Sequence, residues 1–207
     1  MKKMLGILGF IVPTFASASI TALNVMPISD TLAHREAGIT YVGAASQHDN
    51  RYGHTNGLQI GLFDRAEVGF DNDFFGKTVW NAKLNLFENP KFAPGTSLSI
   101  GAMNCHQDNK TDWFAVGRKD FANFRLHGGF MLNDGVKRGM FGIDFAFGEE
   151  CTLMIEHIAG ANEYSWGGVS YAPKALPGIT IGAAIGLPNR KSDGTQHYLT
   201  AGYGFRF

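Results

Sequence analysis

Hydrophobic and polar positions alternate along most of the chain after about residue 35. The final segment, residues 195–207, shows this most clearly: every second side chain from Leu199 to Phe207 is apolar, and those between are small or polar. A repeat of two residues is typical of a strand whose two faces meet different surroundings. The sequence therefore predicts an all-β protein.

Similar segments of about ten residues recur along the chain, separated by turn residues. They predict twelve strands, at residues 35–47, 54–63, 65–73, 78–88, 96–105, 112–120, 123–132, 138–147, 151–159, 163–172, 178–187 and 195–207. Residues 112–120 alternate poorly, so ten or fourteen strands stay open. An even number of antiparallel strands is expected of a bacterial transmembrane β-barrel made from one chain.

The predicted links differ in length. Residues 63–65, 119–123 and 148–150 are short, whereas residues 47–57, 104–112 and 188–195 are longer and polar. Short turns at one end and longer loops at the other are typical of outer-membrane barrels.

The first residues have the features of an export signal. Lys2 and Lys3 precede a short apolar run, and small residues suitable for cleavage follow at Ala18 and Ala22. The predicted organisation is a signal peptide at residues 1–22, an N-terminal periplasmic segment at 23–34 and a transmembrane β-barrel at 35–207.

Composition agrees with this assignment. Eighteen basic residues balance eighteen acidic ones, which gives no reason to expect a nucleic-acid partner. The 27 glycines and 13% aromatic residues suit a barrel better than a helical domain. Cys105 and Cys151 fall at opposite ends of their predicted strands, so we expect no disulfide between them.

A membrane-spanning strand must satisfy its backbone hydrogen bonds within the protein, which requires a closed barrel. The polar faces then line the lumen. The charged residues predicted to face it are Glu67, Lys83, Arg125, Asp144, Glu156 and Arg206. They either stabilise the interior as ion pairs or form a constriction that selects solutes. Glu67 and Lys83 lie on neighbouring strands, as do Asp144 and Glu156, and Arg206 can approach the first strand.

The tryptophans and tyrosines include candidates for the aromatic girdles of a membrane barrel. The candidates are Trp80, Trp113, Trp166, Tyr164, Tyr171, Tyr198 and Tyr203. Some of them must point inward instead.

Two resemblances refine the prediction. Tyr203, Phe205 and Phe207 resemble the C-terminal signal that the barrel-assembly machinery recognises in outer-membrane proteins. Residues 24–32, 36–38, 61–69, 81–84 and 177–180 resemble the repeated hairpins of YjbH-type outer-membrane proteins. That family is associated with exopolysaccharide production, so the resemblance implies an outer-membrane location and a link to exopolysaccharide.

Other chemistry finds little support. His48, His54, His106 and His197 show no tight ligand spacing, and we predict neither a metal nor a cofactor. The candidate residues of a hydrolase, Ser165, Ser170, His127, His157 and Glu156, are scattered over several strands. The Gly-x-Ser-x-Gly motif is also absent, so we predict that the protein is not an enzyme.

The sequence thus predicts an outer-membrane barrel that acts as a narrow passive pore or as an envelope accessory protein linked to exopolysaccharide. A sealed structural or adhesive barrel, binding partners through its long loops, is the alternative; a rim-located hydrolase is a third. Expected partners are outer-membrane lipid, the barrel-assembly machinery, and small solutes or polysaccharide. The oligomeric state is left open.

Overall fold

A computed structural model describes residues 22–46, 51–72, 77–106, 111–133, 135–191 and 194–207. The predicted signal peptide therefore lies outside the described residues, except for Ala22. The strands are β1 (Glu36–Ser46), β2 (Arg51–Leu62), β3 (Ala66–Asn72), β4 (Thr78–Glu88), β5 (Thr96–Cys105), β6 (Asp112–Asp120), β7 (Phe124–Asn133), β8 (Val136–Phe147), β9 (Cys151–Ile158), β10 (Tyr164–Tyr171), β11 (Ile179–Pro188) and β12 (Gln196–Arg206). The described part of the chain contains no helix long and apolar enough to cross a membrane.

The twelve strands form one closed antiparallel barrel in which each strand pairs with its neighbours in sequence. The first and last strands complete the ring through an unbroken register from Glu36↔Arg206 to Ser46↔Gln196. The all-β barrel of twelve strands that the alternation predicts is confirmed.

The two faces of each strand differ as period two requires. On β4, Asn81, Lys83 and Asn85 are buried and face the lumen, while Trp80 is 61% exposed and Leu84 45% exposed on the outside. Large apolar side chains are exposed in the same way on strands all around the barrel. Soluble proteins rarely expose so extensive an apolar surface, whereas hydrocarbon solvates it well.

The barrel has two distinguishable ends. The terminal end is where the chain enters β1 and leaves β12, and it also carries the links 63–65, 89–95, 121–123, 148–150 and 172–178. The opposite, loop end carries the links after β1, β3, β5, β7, β9 and β11. Cys105 and Cys151 fall at opposite ends, as expected, and both are free.

The loop predicted at residues 47–57 is wrong, because β2 begins at Arg51 and pairs with β1 from Arg51 to Ile60. Its polar and glycine residues resemble a loop in sequence, but a lumen-facing strand tolerates such residues well. The difference in link length between the two ends is therefore smaller than expected: residues 89–95 at the terminal end are as numerous as residues 189–195 at the loop end.

Strand β6 alternates poorly because both of its faces are apolar in its first half. Trp113 is exposed on the outside, while Phe114 and Val116 are buried inside the barrel. The inner pair packs against Met26, which belongs to none of the strands.

The residues before β1 lie inside the barrel. We call residues 22–32 the lumen segment. The sequence places residues 23–34 in the periplasm, but Leu23, Met26 and Ile28 are fully buried, and contact the barrel wall from within. The chain enters at the terminal end over Gly61, where a Cβ atom would collide with the Leu32 and Ala33 carbonyl oxygens.

The aromatic residues divide between the two faces. Trp80 and Trp113 point outward, near the loop end of β4 and β6. Trp166 is buried in the lumen, with its ring 4.4 Å from that of Tyr198. Only part of the predicted girdle set can therefore contact lipid.

Charging the outer face should destabilise the barrel according to depth. We expect Ile143→Lys, in the outward row of β8 opposite Leu126 and Ile155, to cost about 2–4 kcal/mol of unfolding free energy. The control Phe147→Lys, at the terminal end of the same row, should cost about 0–1 kcal/mol. Equilibrium unfolding in urea with lipid vesicles measures both. Equal costs at the two positions would contradict a lipid-facing belt.

Candidate functional site

The lumen segment is held at its inner end by Glu156. This buried carboxylate on β9 accepts hydrogen bonds from three consecutive backbone amides, those of Asn24 (2.9 Å), Val25 (2.8 Å) and Met26 (3.1 Å). Hydrogen bonds to a charged acceptor are stronger than neutral ones, and these supply partners to amides that no strand pairs. Glu156 therefore anchors the turn of the lumen segment inside the barrel, toward the loop end.

A second anchor lies on β3 and β4. Lys83 Nζ is 3.1 Å from Glu67 Oε1, and both side chains are almost completely buried. Lys83 also donates to the Ile28 carbonyl oxygen (3.1 Å), while Glu67 accepts from the Leu32 amide (3.1 Å). The ion pair thus binds the wall to two points of the lumen segment.

Neutral side chains support the same stretch. The Ser29 carbonyl oxygen accepts hydrogen bonds from Asn85 Nδ2 (3.1 Å) and from Ser99 Oγ (2.7 Å). Both donors are buried on the lumen face of adjacent strands. The backbone of the lumen segment is therefore bound by side chains of the wall, and the strand ladders do not depend on it.

Near the terminal end, Asp30 joins two arginines. Arg125 Nη1 is 2.7 Å from Asp30 Oδ2, and Arg118 Nη1 contacts Asp30 Oδ1. Asp144 holds Arg125 Nε (2.9 Å) and the ring of His127 (2.8 Å), which fixes the orientation of this guanidinium. The carboxylate of Asp30 thus completes a network of buried charges.

The other side of the lumen segment is apolar. Met26 packs in one cluster with inward side chains of β6 to β9, which are Phe114, Val116, Met131, Met140 and Ile158. Leu23 and Ile28 form a second cluster with Met154. One wall of the lumen is therefore hydrophobic, and the lumen segment covers it.

Glycine makes room for the lumen segment. A Cβ at Gly142 would strike Leu23 and approach Met26, and one at Gly168 would strike the Asn24 side chain. Part of the high glycine content thus lets the lumen segment lie close to the wall.

Five of the six charges predicted for the lumen lie inside it, and the sixth, Arg206, lies on the inward row of β12 at the rim. Glu67 pairs with Lys83 as expected, whereas Asp144 and Glu156 have separate partners, Arg125 and the backbone of the lumen segment. Arg206 lies at the terminal end of β12 and is exposed, opposite Glu36 of the first strand in the ladder.

Sequence reasoning missed Arg118 and Asp30. Arg118 lies on β6, whose alternation is weak, and Asp30 lies in a segment assigned to the periplasm. Alternate residues of a strand share one face, which places Arg118 on the lumen face of β6 with Phe114 and Val116.

The hydrolase candidates are only partly brought together. His157 Nδ1 is 2.8 Å from Ser165 Oγ on the outer face near the loop end, so these two residues are not scattered. Among the described residues no carboxylate hydrogen-bonds the His157 ring, and Asn189 contacts Ser165 instead. Ser170 and His127 face the lumen, away from this pair. Within the described part of the chain, this pair therefore has no carboxylate in the place of the orienting acid of a catalytic triad.

The metal candidates form no site in the described ranges. No three His, Cys, Asp or Glu side chains there are arranged to hold a metal ion. His48 lies outside the described residues. His54 is stacked on Tyr41, with ring centroids 6.0 Å apart.

The three residues of the predicted assembly signal form an aromatic row on the outside of β12. Tyr203 and Phe205 have ring centroids 5.8 Å apart, and Phe205 and Phe207 6.4 Å apart. All three are exposed at the terminal end. Because the three aromatic side chains point outward, another protein can contact them.

Comparison with solved structures finds barrels of the same fold. The KdgM porin aligns with a TM-score of 0.58 at 14% identity, over 82% of this chain and 99% of that chain. The KdgM porin in complex with disordered oligogalacturonate aligns with a TM-score of 0.59 at 14% identity, over 82% of this chain and 99% of that chain. The NanC porin aligns with a TM-score of 0.57 at 10% identity, over 82% of this chain and 100% of that chain.

At this level of identity the likeness establishes a porin-like barrel fold. The sequence matches no protein family and no curated protein. The resemblance to YjbH-type proteins therefore stays a prediction.

Removing the base of the buried ion pair should destabilise the barrel. We expect Lys83→Met to cost about 3–5 kcal/mol of unfolding free energy, because Glu67 is left buried with an uncompensated charge. The double variant Glu67→Gln with Lys83→Met should recover part of this loss, since Gln accepts the Leu32 amide without a charge. Urea unfolding measures both variants. A loss for Lys83→Met under about 1 kcal/mol would show that the pair is solvated.

Replacing the last aromatic residue should impair assembly. We expect Phe207→Asn to reduce the amount of folded barrel in the membrane while leaving the urea midpoint of the folded fraction unchanged. Phe147→Asn is the control, because Phe147 is similarly exposed at the same end of the barrel. Heat-modifiable gel migration of membrane fractions measures folded protein. Equal reductions for the two variants would contradict a specific signal.

Proposed function

We propose that this protein is a passive porin-type channel of the bacterial outer membrane, and that its lumen segment keeps the channel closed. The observation that carries the proposal is that residues 22–32 lie buried inside the barrel without belonging to its wall. Three sets of wall side chains bind this segment, through Glu156, Lys83 and the arginine pair. A barrel whose wall is complete without its plug can conduct when the plug leaves.

Several features support the outer-membrane location. The outer face is apolar around the whole barrel, the leader predicts export, and the fold is that of the KdgM and NanC porins. In an even-stranded barrel both chain ends lie on one side, which in bacterial outer-membrane proteins is the periplasm. The terminal end would then face the periplasm, and the lumen segment would enter from there.

The wall keeps all of its ladders without the lumen segment. Each strand pairs with two neighbours, and the segment is attached to β1 only through residues 33–35. Its displacement would break side-chain hydrogen bonds and apolar contacts but no strand pairing. The freed lumen would be lined mainly by polar and glycine residues on β1 to β5 and by apolar residues on β6 to β9, which suits small solutes. The oligogalacturonate complex of the KdgM porin shows a saccharide ligand for that protein.

A sealed accessory barrel is the second candidate. The filled lumen favours it, and the resemblance to YjbH-type proteins implies a link to exopolysaccharide. In this case the lumen segment would be a permanent part of the core, and the exposed loop end would bind a partner. The two candidates differ in whether the lumen can conduct ions.

A substitution that expels the lumen segment should open the channel. In Gly142→Leu the new side chain would occupy the space of Leu23 and Met26, so we expect an open probability at least about tenfold above wild type, equivalent to about 1.4 kcal/mol. Gly139→Leu is the matched control, because Gly139 lies on the same strand with open space around it. Single-channel recording in planar bilayers measures both.

Met26→Asp provides an independent variant, because it buries a carboxylate in an apolar cluster beside Glu156. It should open the channel as Gly142→Leu does. Heat-modifiable migration identifies variants that have folded. Folded but silent barrels for both variants would reject the channel and favour the sealed accessory barrel.

A further inference from the structure

The lumen segment combines two chemistries along its length. Leu23, Met26 and Ile28 present a fully buried apolar body, and Asp30 presents a carboxylate four residues after Met26. The barrel wall has the same order of side chains along its strands, with apolar residues first and a charged residue after them. On β6 the inward side chains run from Phe114 and Val116 to Arg118, over about 13 Å at the rise of a strand.

The apolar part of the wall is broad. Its inward side chains come from four consecutive strands, β6 to β9, and they include three methionines, Met131, Met140 and Met154. Methionine is flexible and polarisable, and it adapts to apolar partners of different shape. A fully hydrophilic solute would gain nothing from this wall and would leave it poorly solvated.

The charged part binds one carboxylate with two arginines. Arg118 and Arg125 approach different oxygens of Asp30, so each guanidinium group donates one charge-assisted hydrogen bond to the carboxylate. Both arginines are also held by acids of the wall: Arg118 by Asp120 and Glu88, and Arg125 by Asp144. These contacts keep the guanidinium groups oriented when Asp30 is absent. Three wall carboxylates already face the two guanidinium groups, so the pair takes no more than the single further acid group that Asp30 supplies.

This pair can be reached from the terminal end. A cavity of about 350 Å³ lies there, lined by Asp30, Arg118 and Arg125 together with the β6–β7 turn. Ligand pockets for small molecules commonly begin at about 300 Å³. A carboxylate entering the cavity would meet the same guanidinium groups that Asp30 now contacts.

We propose that the lumen takes amphipathic solutes in which one carboxylate is joined to an apolar body, and that residues 22–32 occupy the place of such a solute. This inference rests on the proposed channel function. The solute replaces Asp30 on the arginine pair and covers the apolar wall as Met26 does. Its binding and the seating of the lumen segment are mutually exclusive, so the solute opens its own path.

Cysteine labelling of the full-length protein tests this competition. Ser29→Cys is a conservative probe on the lumen segment, since Ser29 is fully buried, and Cys105→Ser with Cys151→Ser removes the native thiols. The protein is refolded into lipid nanodiscs and treated with a water-soluble maleimide. Octanoate is the amphipathic probe, gluconate supplies a carboxylate without an apolar body, and 1,2-octanediol supplies an apolar body without a charge.

We expect octanoate to raise the labelling rate of Ser29→Cys at least about tenfold, equivalent to about 1.4 kcal/mol, and the other two probes to leave it nearly unchanged. A protein that keeps only Cys151, on the outer face of β9, is the control for bilayer perturbation. Its labelling rate should not respond to octanoate.

An equal effect of gluconate would mean that the site takes hydrophilic acids, and an equal effect of 1,2-octanediol would mean that the carboxylate is not needed. Either result overturns the proposed solute class. If no probe changes the rate while Gly142→Leu conducts, this inference fails and the channel function stands. If Gly142→Leu is silent as well, the channel function itself fails.

Discussion

A strand in hydrocarbon has to find every backbone hydrogen-bond partner within the protein, because the surroundings offer none. This chain meets that constraint by pairing β1 with β12 over their whole length. Closure then decides the direction of each side chain: one face of every strand meets the outside, and the other meets a narrow lumen. The apolar belt, the buried charges and the position of the lumen segment all follow from it.

Charges in such a lumen need partners, since water has limited access to them. The wall provides some of these partners itself, as in the Glu67–Lys83 pair, but Glu156 and the arginine pair are completed by the lumen segment. The same segment covers the apolar inner wall of β6 to β9. One stretch of chain therefore satisfies both the polar and the apolar surfaces that barrel closure leaves inside. A solute that replaces it has to offer the same two chemistries.

The pattern of side chains predicted the strands well where lumen and outside differ in polarity, as in β4 and β12. It failed in two opposite ways. The first half of β2 is polar and rich in glycine, so it resembles a loop although it completes a ladder with β1. In β6 the inward side chains Phe114 and Val116 are apolar, so the alternation is weak and Arg118 on the same face was overlooked. In both cases the inner surroundings depart from the simple rule of polar inside and apolar outside.

The sequence by itself determined the fold class, favoured twelve strands and placed five of the charged side chains on the inner faces, because period two is a local property that neighbouring residues display. Only the tertiary structure decided that residues 22–32 lie in the lumen. Asn24 meets Glu156 across 132 positions of sequence, and Asp30 meets Arg118 across 88. No local pattern encodes such contacts. They exist because the closed wall brings distant residues around one enclosed space, where unpaired charges and bare apolar surface are both costly.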